Sequence, residues 1–195
     1  MALPLSLLTI LVVFTYGPVP SLGCDLPPNH MVASKKTFVL LAQMRTLSPS
    51  FCLEDRKDFR FPEEVVDVSQ HHKAQAISVL QEIVQQISNL FHTEGASAAW
   101  NVTLLNQLQN ALHRQTENLE NCLVQAMGEE ESVLAIEGPL LAVKRYFYGL
   151  RLYLKEKIYS DCAWEVVRGE IRRIFSSSTD LQETLRRKNG DLISS

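Results

Sequence analysis

The sequence predicts an all-α fold, a bundle of five helices. Three observations carry that expectation. Five segments repeat apolar residues at helical spacing. Only 8 Gly and 8 Pro occur in 195 residues, too few for the many tight turns of a sandwich or barrel. Hydrophobic residues make up 46% of the chain, enough to fill one core, and charged residues only 21%, which argues against disorder.

The chain opens on a segment that should not belong to the bundle. Leu5 to Tyr16 is nearly all apolar. Pro18, Pro20 and then Ser21-Leu22-Gly23 follow, with small residues where a signal peptidase reads. The run is short of the roughly 20 apolar residues that a spanning helix needs. An uncleaved anchor is the alternative, since no Lys or Arg precedes the apolar run. The expected organisation is a signal peptide over 1–23, removed on export, and one helical domain over 24–195. No second long apolar run exists, so the mature chain should be secreted, extracellular and not inserted in a membrane.

The helical segments then come in order. The first spans Val32 to Leu47, with Leu40, Met44 and Leu47 on one stripe and Leu41 beside it. The second spans Ala74 to Phe91, with Ala76, Leu80, Ile83, Ile87 and Leu90. The third spans Val102 to Met127, with Leu104, Leu108, Ala111, Leu119 and Cys122. The fourth spans Pro139 to Ile158, with Leu140, Val143, Phe147, Leu150 and Leu154. The fifth starts near Cys162, with Ala163, Val167, Ile171 and Ile174, and extends toward Leu181 and Leu185. Pro139 fits the first turn of the fourth. Asp161 can cap the fifth, Glu165 suits its positive end, and Lys155 and Lys157 suit the negative end of the fourth. Gly149 and Gly169 fall inside helices. Each is either tolerated at about 1 kcal/mol or marks a close backbone approach.

One connection is long, from Ser48 to Lys73. Length without helical pattern marks a functional or a disordered segment. Phe51, Phe59, Phe61 and Cys52 argue for an ordered loop packed on the bundle. The acidic run Glu129-Glu130-Glu131 reads as a solvated loop.

Cys24, Cys52, Cys122 and Cys162 form no CxxC pair, and an even count in an exported chain reads as two disulfides. The first helix holds Cys24 and Cys52 roughly 22 Å apart, far outside disulfide reach, and the fourth separates Cys122 from Cys162. Two pairings remain. A parallel second helix gives Cys24–Cys122 with Cys52–Cys162; an antiparallel one gives Cys24–Cys162 with Cys52–Cys122. The long first connection is enough to retrace the bundle, which favours the parallel arrangement. Parallel pairs joined by long crossovers are the layout of helical cytokines.

Little in the chain invites catalysis. No GxSxG, HExxH, P-loop or GxGxxG occurs. His71 and His72 are adjacent and point about 100° apart on a helix, a poor metal pair. Glu117 and Glu120 read as a solvated face. The net charge of −3 does not suggest a nucleic-acid partner. Asn101-Val102-Thr103 is a glycosylation sequon, and Asn101 could equally serve as a helix cap. Arg168, Arg172 and Arg173 offer a basic binding surface, or a solvated face paired with Glu165 and Glu170.

Cys52-Leu53-Glu54-Asp55-Arg56-Lys57-Asp58-Phe59, Ser97-Ala98-Ala99-Trp100, Tyr153-Leu154-Lys155-Glu156-Lys157 and Tyr159 through Arg168 resemble the type I interferons, and the likeness extends over essentially the whole mature chain. The resemblance implies a five-helix cytokine bundle with parallel first and second helices, a long first loop and two disulfides. It implies a secreted monomer, without cofactor or metal, that binds a two-chain type I interferon receptor and starts antiviral, antiproliferative and immunomodulatory JAK-STAT signalling. The high-affinity chain would meet Leu53, Arg56, Arg168, Gly169, Arg172 and Arg173. The low-affinity chain would meet Glu82, Gln85, Ser88, Asn89, Phe91, Leu104, Gln109, His113 and Lys144. Two residues depart from the family pattern: Arg172 stands where Met is common and Ser88 where Phe is common, and both bear on receptor affinity. A competing class is a secreted amphipathic-helix lipid carrier, to which the apolar faces of the third and fourth segments lend themselves. Two long-range disulfides suit a closed bundle better. A secreted enzyme ranks below both, for want of any catalytic constellation.

Overall fold

The computed structural model describes residues 26, 28–67, 73–126 and 133–190. The leader, Cys24, Met127, His71, His72, the run Glu129 to Glu131 and the tail from 191 lie outside the described residues, as does the side chain of Leu185. Among the described residues every regular element is helical. Six α-helices occur: α1 Pro28–Gln43, α2 Lys73–Phe91, α3 Glu94–Ala99, α4 Val102–Ala126, α5 Val133–Glu156 and α6 Asp161–Gly190. Two 3₁₀ segments, Pro49–Asp55 and Glu63–Val66, lie in the first long connection.

The apolar stripes dictate where each helix sits. Ala76, Leu80, Ile83, Ile87 and Leu90 of α2 are all buried, and Ile77, Val84 and Phe91 widen the stripe. A stripe that wide needs neighbours on several sides, and α2 packs on α4, α5 and α6. Leu40 and Leu41 bury one side of α1 against α4 and α6, and Met44, just past its end, joins the same core. Leu108, Ala111, Leu119 and Cys122 of α4, Val143, Phe147, Leu150 and Leu154 of α5, and Ala163, Val167, Ile171 and Ile174 of α6 join the same core. Trp164 stacks on Phe91 and meets Trp100 edge-on, locking the α2–α3–α4 corner to α6.

Polar contacts give the helix directions. Gln81 Nε2 donates to Glu120 Oε1 at 3.4 Å and Gln109 Nε2 to the Phe91 carbonyl at 3.2 Å, so α2 and α4 run in opposite senses. Lys144 pairs with Glu82 at 3.6 Å and Arg151 Nη1 donates to Gln86 Oε1 at 2.9 Å, so α2 and α5 run the same way. Arg168 Nη1 donates to the Leu41 carbonyl at 2.6 Å and the Arg172 guanidinium lies 4.4 Å from the Phe38 ring, so α1 opposes α6.

The first connection is ordered and strapped down. Phe59 meets Tyr153 edge-on at 5.1 Å, Phe61 meets Tyr146 at 5.1 Å, and the Tyr153 hydroxyl donates to the Asp55 carbonyl at 2.6 Å. Cys52 is bonded to Cys162, with Cα atoms 5.2 Å apart. Phe51 departs from the expectation of three packed phenylalanines: it is 80% exposed.

Several boundaries differ from the sequence reading. α1 starts at Pro28, since proline at a first turn starts a helix well, and it stops at Gln43. Leu47 therefore lies outside the helix. Pro139 does not open α5 but sits inside it. Proline's fixed φ is helical, so a helix can carry one at the cost of a hydrogen bond. Ser160, not Asp161, caps α6: the Ala163 N–H donates to Ser160 Oγ at 3.3 Å. Asp161 is the first helical residue. An added Cβ at Gly149 or Gly169 would meet nothing within 4 Å, so neither glycine marks a close approach.

Candidate functional site

A recess of about 500 Å³ lies between the first connection and α6. Arg56, Lys57, Phe59, Glu165, Val166 and Gly169 are among its lining residues. The connection forms one wall because Cys52 and the Asp55 carbonyl are tied to the α5–α6 corner. Lys157 Nζ reaches Asp55 Oδ1 at 2.9 Å, and that hydrogen bond raises the lysine pKa. Burial pushes the Tyr153 hydroxyl up to about 12, so it stays a donor to the loop at any physiological pH.

The residues expected to meet the high-affinity chain divide by exposure. Leu53 is 56% exposed, and Arg56 and Gly169 are exposed beside the recess. Arg173 is exposed but engaged: it donates to Glu170 Oε1 at 2.9 Å and to Glu63 Oε1 at 3.2 Å. Glu170 in turn accepts from the Tyr146 hydroxyl, and burial with Glu170 beside it raises the Tyr146 pKa far above normal. Arg172 is half-buried with its guanidinium over Phe38. Arg168 is only 4% exposed. Its fork is filled by Glu165 and the Leu41 carbonyl, so it does not extend an outer surface with Arg56. Arg168 and Arg173 pair with Glu165 and Glu170 as the alternative reading of this cluster expects, but the Arg168–Glu165 pair is buried and not part of a solvated face.

The residues expected to meet the low-affinity chain lie on α2, α4 and α5. Glu82 and Lys144 are joined across helices, Gln85 donates to Asn89 Oδ1 at 3.1 Å, and His113 lies 3.4 Å from Glu117. Ser88, Leu104 and Gln109 are half-buried. Phe91 has no exposed surface; its ring lies in the core against Trp164 and it can only support this face from beneath.

Asn101 is exposed at the start of α4, and its Oδ1 accepts from the N–H groups of Thr103 at 3.0 Å and Leu104 at 3.2 Å. That is the capping role. It leaves the amide nitrogen, the atom a glycan would occupy, outside these bonds.

Periodicity did not find Glu165, Val166 or Tyr146 as parts of this site. Glu165 was legible as a helix-end charge and as a partner for the arginines of α6, three residues before Arg168, but not as a wall of the recess. Phe59 was legible only as a packed loop residue.

Such an arrangement defines a helical-bundle protein built around surfaces. Residues 26–185 match the interferon alpha/beta domain family. The chain is 62% identical to interferon omega-2 of Equus caballus over 98% of both chains. It is 59% identical to interferon omega-1 of Homo sapiens over 100% of each, and 55% identical to interferon tau of Cervus elaphus over 98% of each. Among solved structures, zebrafish interferon 2 aligns with a TM-score of 0.64 at 27% identity, covering 75% of this chain and 94% of that one. The chain belongs to the interferon alpha/beta family, whose members are cytokines and not enzymes.

Proposed function

We propose that this protein is a secreted type I interferon. After loss of residues 1–23 it acts as a monomer on a two-chain cell-surface receptor and starts JAK-STAT signalling with antiviral, antiproliferative and immunomodulatory outcomes. The observation that carries the reading is identity to omega interferons of 59% and 62% along the whole chain. No described helix is long and apolar enough to cross a membrane, which accords with release from the cell.

The fold reading is a five-helix bundle, α1, α2, α4, α5 and α6, with α1 parallel to α2 and α3 as an inserted turn. Its support is geometric. The side chains joining α1 to α6 and α2 to α5 give opposite and like directions respectively, and α5 reverses into α6 through the short turn 157–160. The second disulfide would join Cys24 to Cys122; Cys122 is disulfide-bonded and Cys52 is already paired with Cys162.

The high-affinity receptor chain would dock on Leu53, Arg56, Gly169, Arg172 and Arg173, with Arg168 holding the floor. The low-affinity chain would dock on Glu82, Gln85, Ser88, Asn89, Leu104, Gln109, His113 and Lys144, with Phe91 beneath. Asn101 would carry the glycan. Arg56 is the main anchor, because it is exposed, has no ion pair among the described residues, and sits on a segment whose ordering cost is already met by Cys52. Truncating such an anchor costs about 2–4 kcal/mol, roughly 30- to 1000-fold in affinity. Arg60 is the control: it lies on the same loop, and its side chain is exposed and paired with Asp58. Surface plasmon resonance on the high-affinity ectodomain should show a large loss for Arg56→Ala and little for Arg60→Ala. Small, equal losses would refute the placement of the anchor.

A further inference from the structure

α5 ends in a turn with two consecutive left-handed residues, Ile158 at φ 52 and Tyr159 at φ 53. Helices commonly close this way, with glycine or asparagine in the left-handed position. The backbone reason is present here: the Ile158 N–H donates to the Lys155 carbonyl at 3.1 Å and the Tyr159 N–H to the Leu154 carbonyl at 2.8 Å. What needs explaining is the residue type. A β-branched side chain at positive φ is strained. Tyr159 has a packing reason to accept it, since its ring lies against Gly95 and near Trp164. Ile158 has none: it is 85% exposed. Two unfavourable choices, strain and apolar exposure, therefore fall on one side chain that packs on little among the described residues.

The surroundings say what the contact is. Residue 157 is tied to Asp55 and residue 162 to Cys52, so the turn carrying Ile158 is clamped at both ends to the segment that carries Phe51, Leu53 and Arg56. Phe51 and Leu53 are also exposed apolar side chains. Three exposed apolar groups thus border one corner stapled by a disulfide and an ion pair. A docking footprint covers about 800 Å² per partner, wide enough to take in the loop and the turn together. Large apolar side chains at the middle of such a footprint carry binding energy out of proportion to their number.

We propose that Ile158, together with Phe51, is an apolar contact for the same receptor chain that docks on Leu53 and Arg56, so that this interface wraps past the Cys52–Cys162 corner onto the α5–α6 turn. The proposal rests on the receptor reading above. The test uses full mature chains made in a host that does not N-glycosylate, because Ile158→Asn completes a glycosylation sequon with Tyr159 and Ser160. The chains carry Ile158→Asn or Arg56→Ala, and thermal unfolding and binding to each receptor ectodomain are measured separately. Asparagine tolerates the left-handed conformation, so Ile158→Asn should fold and melt at or above the wild-type temperature. It should nonetheless bind the high-affinity chain about tenfold more weakly, with the low-affinity chain unaffected. Unchanged affinity for Ile158→Asn beside a large loss for Arg56→Ala would overturn the inference and leave the receptor reading standing. No loss for either variant would overturn both. A loss confined to the low-affinity chain would overturn the assignment of the partner.

Discussion

His30 shows how much one buried group can contribute. The imidazole on α1 is wholly buried, and its polar neighbour, Gln182 of α6, offsets only part of the cost of burying a charge there. Burial lowers its pKa to about 4, against an ordinary 6.5. The unfolded chain therefore binds a proton that the native chain refuses over that range. Stability is full above about pH 6.5 and falls as pH drops toward 4, by up to about 3 kcal/mol for this group. His30→Gln should flatten the fall of melting temperature between pH 7 and pH 4; parallel curves would show that other groups govern acid stability. Gly169 makes the opposite case. It lies mid-helix in open space, so Gly169→Ala should gain about 1 kcal/mol, a rise of about 2–4 °C in a chain of this size. A lower melting temperature in a calorimetric scan would contradict the open space around it. At this scale the sequence was least legible. Arg168 sits beside an apolar stripe, where spacing alone does not tell a solvated arginine from one folded back on Glu165 and Leu41. Phe91 was equally ambiguous, being the end of an apolar stripe and also a face-forming aromatic.

The helices were far more legible, because an amphipathic stripe is written over many residues and one misread position does not erase it. α2 and α4 start and stop within a residue or so of the periodic pattern. The misses have two causes: a single-residue signal overruled by its neighbours, and an element too short to show a period. Pro139 pointed to a helix start, yet α5 already runs from Val133. α3, six residues long, is too short to show a period, although Thr93 carries the cap by accepting from the Ala96 N–H at 3.2 Å. The Pro139 misreading yields its own prediction. An interior proline forfeits one helix hydrogen bond and strains the turn before it, so the first turns of α5 should be its weakest part. Pro139→Ala should slow amide hydrogen exchange over residues 136–142 while leaving 146–154 unchanged. Equal protection before and after substitution would mean that tertiary packing, and not the missing bond, sets the stability of this end.

At the scale of the whole molecule, the first connection and α6 form one unit across a sequence separation of 110 residues. Three independent ties hold the connection down: the Cys52–Cys162 bond and Arg173, which spans Glu63 and Glu170, fix it to α6, and the Tyr153 hydroxyl fixes the Asp55 carbonyl to α5. The recess and Arg56 exist only while the connection is held against α6. The proposed low-affinity face depends on other contacts, Glu82 with Lys144 and Gln109 with the Phe91 carbonyl, and none of these crosses the connection. The two faces should therefore fail separately. Closing a loop of about 100 residues is worth up to roughly 4–5 kcal/mol in the chain-entropy model, so the variant Cys52→Ser with Cys162→Ser should melt well below the wild type. Kept beneath its own melting temperature it retains Tyr153 and Arg173 as ties, and its helix content by circular dichroism should be unchanged. The connection would then sample positions away from α6, and the ordering cost once met by the disulfide would fall on binding. Affinity for the high-affinity receptor chain should drop at least tenfold while affinity for the low-affinity chain stays within about twofold. Equal losses on both chains would mean that the disulfide supports the bundle as a whole and that the connection is not a separately positioned docking element.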